Sequence, residues 1–192
     1  MRNTRADVVA AALRVLDAQG LENCSMRRVA AELDVQPSAL YHHVPNKQSL
    51  LALMADEIVR GVGAAEVRDP RALCTELRDA MLAVEDGAEV VATAAAFRLG
   101  SWEIEDRLTA VVGADGARTL LLYTFAQAQS TQTHRRAAEF GALVDPAPAA
   151  TGAAASGTAT VAAPGAAPAP AGFDAEFARG LDIILRGLDL SG

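Results

Sequence analysis

Residues 25–51 read SMRRVAAELDVQPSALYHHVPNKQSLL, and their spacing decides the fold. Ser25 can cap a helix that runs through Val29 to Leu33, and Asp34–Val35 supplies a tight turn. Pro37 falls where a first helical residue is favoured, ahead of Ser-Ala-Leu-Tyr-His-His. Pro45 ends that short helix, and Asn46 can cap a further one that starts at Lys47. Helix, tight turn and short second helix within so few positions form a helix-turn-helix. That compactness lets the second helix project into a major groove about 12 Å wide. Leu40 and Val44, four apart, anchor it to a core, leaving Ser38, Tyr41 and His42 on its outer side. Arg27, Arg28 and Lys47 flank it and can meet phosphates. His42 and His43 cannot chelate a metal together, because adjacent helical residues diverge by roughly 100°.

Upstream, Thr4 and Asp7 form a capping-box pattern. Val8, Val9, Ala12, Leu13 and Leu16 then repeat along one helical face until Gly20 stops it. Downstream, Leu50, Leu51, Met54 and Ile58 give the helix from Lys47 to about Val62 an inward stripe. From Asp69–Pro70 the elements lengthen. Leu73, Leu77, Met81 and Val84 form an amphipathic stripe that Gly87 breaks. An apolar stretch, Val90 to Leu99, precedes Ser101, which can cap a helix to Val112. Asp115 or Gly116 opens a long segment through Leu120, Leu121 and Phe125 to about Glu139. Residues 146–172 hold no charge and are mostly Ala, Pro, Gly and Thr, with prolines at 146, 148, 164, 168 and 170. This composition predicts a flexible loop. Phe173, Phe177, Leu181, Ile184 and Leu188 beyond it outline one more apolar helix that must dock on something. The whole predicts an all-α protein with a helix-turn-helix head at 1–63 and a larger helical bundle at 64–192.

Composition narrows the chemistry. The 192 residues are 51% hydrophobic and 4% aromatic, enough to bury a helical core packed with Ala, Leu and Val. Cys24 and Cys74 are too few for a disulfide scaffold and lack the paired spacing of a zinc site. No apolar run reaches the roughly 18 residues of a membrane span, and no signal segment opens the chain. These features predict a soluble cytoplasmic protein without a membrane partner. The net charge of −7 falls on residues 61–192, whereas residues 1–60 carry seven basic and seven acidic groups. Non-specific, charge-driven binding of nucleic acid is therefore disfavoured, but contact over a small basic surface is allowed. Lys47 is the only lysine. No Ser-His-Asp grouping, phosphate loop, HExxH pair or dinucleotide glycine pattern occurs, so an enzyme is not expected.

The segment resembles the tetracycline-repressor family of bacterial transcriptional regulators. The resemblance rests on Leu40-Tyr41 in the second helix, on Asn46-Lys47 opening the next, and on Gly20, Ser25, Arg27, Val29, Ala30, Leu33 and Val35 before them. The later region is similar to that family's ligand-binding domain through Asp86-Gly87-Ala88, the run FARGLDIILRGL at 177–188, and the uncharged loop before the last helix. The resemblance implies a homodimer on an inverted-repeat operator in double-stranded DNA, and a small-molecule effector that moves the two heads apart. It implies that Arg27 reads a base and that Ser38 and Ala39 face base or backbone. Tyr41 and His43 would reach the backbone or a thymine methyl, and Lys47 a phosphate. With their neighbours Ser25, Arg28, Gln36, Pro37 and His42, these residues form the expected interface.

Departures from the pattern matter too. Pro37-Ser38 replaces a Gln-Pro pair and His42 a tryptophan, so the operator should differ. Val84-Glu85-Asp86 and the run Tyr123 to Gln129 lack the histidines that would serve tetracycline and magnesium. No metal or cofactor is expected, and the effector is another molecule. Met81, Phe97, Trp102, Tyr123 and Phe125 are candidates to line its pocket, with Gln127, Gln129 and Thr131 as polar contacts. Phe173, Phe177, Gly180, Leu181, Ile184 and Leu188 are candidates for the dimer interface, since two helical glycines, Gly180 and Gly187, would let a partner approach closely. The alternatives are a small-molecule-binding module that does not use DNA and, least favoured, a bundle enzyme.

Overall fold

The structure is a computed structural model that describes residues 3–64, 69–100, 103–141 and 170–189. Trp102 and the expected cap at Ser101 lie outside the described residues, as does most of the uncharged segment. Eight helices and no strand occur among the described residues. In chain order they are α1 Arg5–Asn23, α2 Met26–Glu32, α3 Pro37–Leu40, α4 Lys47–Ile58, α5 Pro70–Leu82, α6 Gly87–Ala96, α7 Glu103–Glu139 and α8 Pro170–Asp189. No helix among them is long and apolar enough to cross a membrane.

Local chemistry accounts for most boundaries. At the start of α1 the Thr4 hydroxyl accepts from the Asp7 amide at 3.2 Å, and the Asp7 carboxylate accepts from the Thr4 amide at 2.7 Å. Donation to that carboxylate from the Thr4 amide first, and from the Thr4 hydroxyl at 2.7 Å second, holds the Asp7 carboxyl below its ordinary range. Gly20 leaves the helix with φ 74° and ψ 169°, and one more turn follows to Asn23. The break is where the sequence places it, but a final turn of helix extends past it. Asp69 caps α5 by accepting from the Arg71 amide at 2.9 Å, with Pro70 at the first helical position. Gly113, with φ 75°, kinks α7 between the two helices the sequence separates. The last helix starts at Pro170, earlier than the composition suggests, because a proline is tolerated in a first turn.

One buried cluster runs from Val8 through Leu16, Leu40, Leu50, Met54, Leu73, Leu77, Met81, Val91, Leu108 and Leu120 to Leu181. The α4 helix packs on both α1 and α6, so the core continues across the head–body division expected near residue 63. Burial pushes the Cys74 thiol up to about 11 and raises that of Cys24, which makes both poor nucleophiles at neutral pH.

The last helix returns to its own bundle. Phe173, Phe177 and Leu181 are buried there, with α8 packed on α7 and tied to α5 by ion pairs from Arg71 and Arg78. Arg78 of α5, only 4% exposed, holds this helix in place. Its Nη1 donates to Asp174 at 2.9 Å, its Nη2 to the Thr131 hydroxyl at 3.4 Å, and its guanidinium lies 4.8 Å from the Phe177 ring centroid. Tyr123 stacks on Phe177 at 5.7 Å, and its hydroxyl lies 3.2 Å from the carbonyl oxygens of Glu176 and Phe177, which share its proton. Gly180 makes room for that hydroxyl, since a Cβ there would overlap it. The apolar face expected to meet a partner is thus turned inward. Ile184 and Leu188 are half-buried against the same core, and Ile183, at 72%, is a large apolar residue of α8 left exposed.

Candidate nucleic-acid interface and ligand cavity

The outer surface of α2, α3 and the start of α4 assembles the expected DNA-facing residues. Leu40 and Val44 are buried and tie α3 to the core, which leaves Ser38, Ala39, Tyr41 and His42 exposed. Tyr41 is 52% exposed, a large apolar area to leave in water without a partner. Pro37 and His43 are half-buried, and Gln36 is exposed at the N-cap of α3. Two turns position the short helix. Asp34 adopts φ 53° in the first, and the Val44 amide bonds the Leu40 carbonyl at 2.8 Å in the second.

The charges at these helix starts run against the helix dipole. Ser25 caps α2 and Asn46 caps α4, through bonds to the amides of Arg28 and Ser49. Each helix then carries cations in its first turn, Arg27 and Arg28 in α2 and Lys47 in α4, and neither has an acidic residue there. A cation at a helix N-terminus costs a few tenths to about 1 kcal/mol, whereas an anion is stabilised there. Arg27, Arg28 and Lys47 are all exposed, and Arg28 also bonds the Gln19 side chain. A phosphate at either start would meet free amides and a side-chain cation together.

Behind this surface a polar latch joins α1 to the bundle. Asp86, the αL residue before α6, is 7% exposed. Its Oδ2 accepts from the Leu21 amide at 2.7 Å, and its Oδ1 pairs with Arg136 of α7, which also pairs with Glu85. The hydrogen bonds that Arg136 donates to Asp86 first and Glu85 second push its pKa up. The Glu85 amide donates in turn to Asp17 of α1 at 3.1 Å. Gly20 serves this contact twice. Its positive φ turns the chain, and a Cβ there would come within 3.2 Å of the Asp86 carboxylate. Gln132 secures the α5–α6 turn, donating to the carbonyls of Met81 and Val84 and accepting from the Ala88 amide.

The other end of α6 borders a cavity of about 370 Å³. Ala92, Ala95 and Ala96 of α6 make one wall and Leu121, Leu122, Phe125 and Ala126 of α7 the other, with Arg98, Glu105, Arg118 and Gln129 also lining it. Of the pocket residues expected from sequence, Phe125 and Gln129 line this space. Met81 is buried in the core, Tyr123 and Thr131 are engaged in holding α8, and Gln127 accepts through its carbonyl from Thr131. Phe97 is 65% exposed and does not line the cavity. The alanine wall has no counterpart in the sequence reading, because only the close approach of α6 and α7 turns missing side-chain volume into a slot.

A helical bundle bearing an exposed helix-turn-helix defines a DNA-binding regulatory protein as a class. Comparison with known proteins makes this specific. The model of the bacterial regulatory proteins of the tetR family matches residues 8–54. The transcriptional repressor DrrR1 of Streptomyces coeruleorubidus is 55% identical over 53 residues, 28% of this chain and 20% of that protein. The crystal structure of Mycobacterium smegmatis BioQ superposes with a TM-score of 0.80 at 30% identity, over 99% of both chains. BioQ bound to its natural double-stranded DNA operator gives 0.65 at 35% identity, over 73% of this chain and 94% of that one. The chain belongs to the tetR family. Its matches to curated relatives span from a fifth to under half of those proteins' lengths.

Proposed function

We propose that this protein is a cytoplasmic, homodimeric transcriptional repressor that binds an inverted-repeat operator and is released by a small molecule. The observation that carries the reading is the set of cations in the first turns of α2 and α4, flanking an exposed recognition surface. Without a bound anion that arrangement is unfavourable. The operator complex of BioQ, similar over nearly three-quarters of this chain, supports it. Two heads in a dimer would enter successive major grooves, roughly 34 Å apart. Ile183 of α8, which is exposed, offers apolar area for pairing.

The route from ligand to DNA runs along α6. Its first turn holds the latch to α1, and its last turn borders the cavity. Ten residues of helix place the two ends about 15 Å apart. A molecule that wedges α6 from α7 would therefore tilt Asp86 and drag the Leu21 contact. Because α4 packs on α6, the same movement reaches the base of the helix-turn-helix. The effector acts by binding more tightly to the arrangement whose heads do not match the grooves.

Selection of bound sequences from random duplex DNA tests this. Enrichment of an inverted repeat is expected, and a folded dimer that enriches nothing overturns the reading. Two substitutions separate the roles. Arg27→Ala should relax preference at one base pair per half-site by about 1–3 kcal/mol. Lys47→Ala should weaken all sequences evenly and reduce the log–log salt slope by about 0.9 per phosphate lost. Quantitative footprinting of operator variants at several salt concentrations reads both, and an exchange of the two patterns would reverse the assignments.

A further inference from the structure

The slot between α6 and α7 has features that specify what it takes. Its walls are mostly apolar. Ala92, Ala95 and Ala96 present only methyl groups, at the spacing of one helical face, opposite Leu121, Leu122 and Phe125. A volume of about 370 Å³ falls in the lower part of the roughly 300–1,000 Å³ range of small-molecule sites. The charged residues that line it are two arginines and one glutamate, a net positive charge.

Both arginines are available. Arg118 is exposed and has no ion-pair partner among the described residues. Arg98 pairs with Glu105 only at 3.9 Å. Arg98 also adopts φ 51° at the end of α6, where the Leu99 amide closes the turn on the Ala94 carbonyl at 2.8 Å. Glycine suits that backbone position best, and an arginine there is strained by about 1 kcal/mol or more. Strain kept at the mouth of a cavity points to work for the side chain.

We propose that this slot takes a compact, ring-bearing organic anion, a carboxylate or sulfonate, as the effector of the repressor reading above, on which this assignment rests. The rings lie between the alanine wall and Leu121 and Phe125, and the acidic group meets Arg118 and Arg98. A guanidinium can hold such an oxyanion with two parallel bonds. Glu105 keeps Arg98 positioned until the ligand's acid replaces it. An organic cation would face the two arginines and is disfavoured.

A matched pair of fluorescent probes tests the assignment on the full-length protein. The first is 8-anilinonaphthalene-1-sulfonate, and the second, N-phenyl-1-naphthylamine, has the same rings without the sulfonate. The sulfonate should bind saturably and more tightly. Arg118→Gln should weaken it about tenfold while changing the neutral probe by less than about twofold. Ala96→Trp, at an exposed position on the wall, should abolish both without altering the circular-dichroism melt. Equal affinity for the two probes, or an equal loss of both in Arg118→Gln, overturns the anion. Binding that survives Ala96→Trp overturns the slot, as does the absence of saturable binding. Operator binding by the ligand-free protein is measured alongside. Its failure with the probe pattern intact would refute the DNA reading and leave the slot standing.

Discussion

Alanine at position 87 is expected to destabilise the protein by about 2–3 kcal/mol and to lower its melting midpoint by about 5–10 °C. Gly87 is the first residue of α6 and is buried. A Cβ there would overlap the Met81 carbonyl oxygen and stand 3.1 Å from the Val84 Cβ. Neither neighbour is the free end of a flexible side chain. The turn is also closed by the Gly87 amide on the Val84 carbonyl at 3.0 Å and by Gln132 on both carbonyls. Opening it to admit a methyl group therefore strains several bonds at once. A calorimetric melt of Gly87→Ala is the measurement. A midpoint within about 1 °C of the parent would show that the turn can yield at little cost.

The second large effect is on function. Asp86→Ala should weaken operator binding about tenfold, with helical content retained and faster hydrogen exchange at the Leu21 amide. The substitution leaves that partly buried amide without an acceptor and Arg136 with Glu85 alone. The first helices then sample more orientations, and DNA binding must order them. Asp86→Asn keeps an acceptor for Leu21, tolerates the αL backbone, and loses only the charge opposite Arg136. It should fall between the two. Unchanged operator affinity in Asp86→Ala would show that the latch does not orient the DNA-facing helices.

The helix-turn-helix was legible because its signals are local. Ser25, Pro37, Pro45 and Asn46 punctuate the chain, and Leu40 and Val44 need only one helical turn to declare an anchor. The α5 stripe was legible for the same reason, apart from Val84, which lies beyond the end of the helix. The latch was not. Asp86 meets partners 65 and 50 positions away, and nothing near it in sequence marks an acceptor for a distant amide. The α8 helix shows an intermediate case. Its apolar periodicity announced that it docks, but periodicity is blind to which surface receives it. The Tyr123 hydroxyl over Gly180 and the Arg78 pin settle that within the chain. Phe125 and Gln129 were found at the cavity because they stand out, whereas alanines do not.

The solitary lysine has a practical consequence. Lys47 is exposed at the head of α4 and provides the only side-chain amine. An amine-selective acylating reagent therefore has a single side-chain amine to modify, on the surface where DNA contact is proposed. Protection of this one amine, read by peptide mass spectrometry, would report operator occupancy directly. The protein carries its own single side-chain amine for footprinting, which peptide mapping separates from the backbone α-amine.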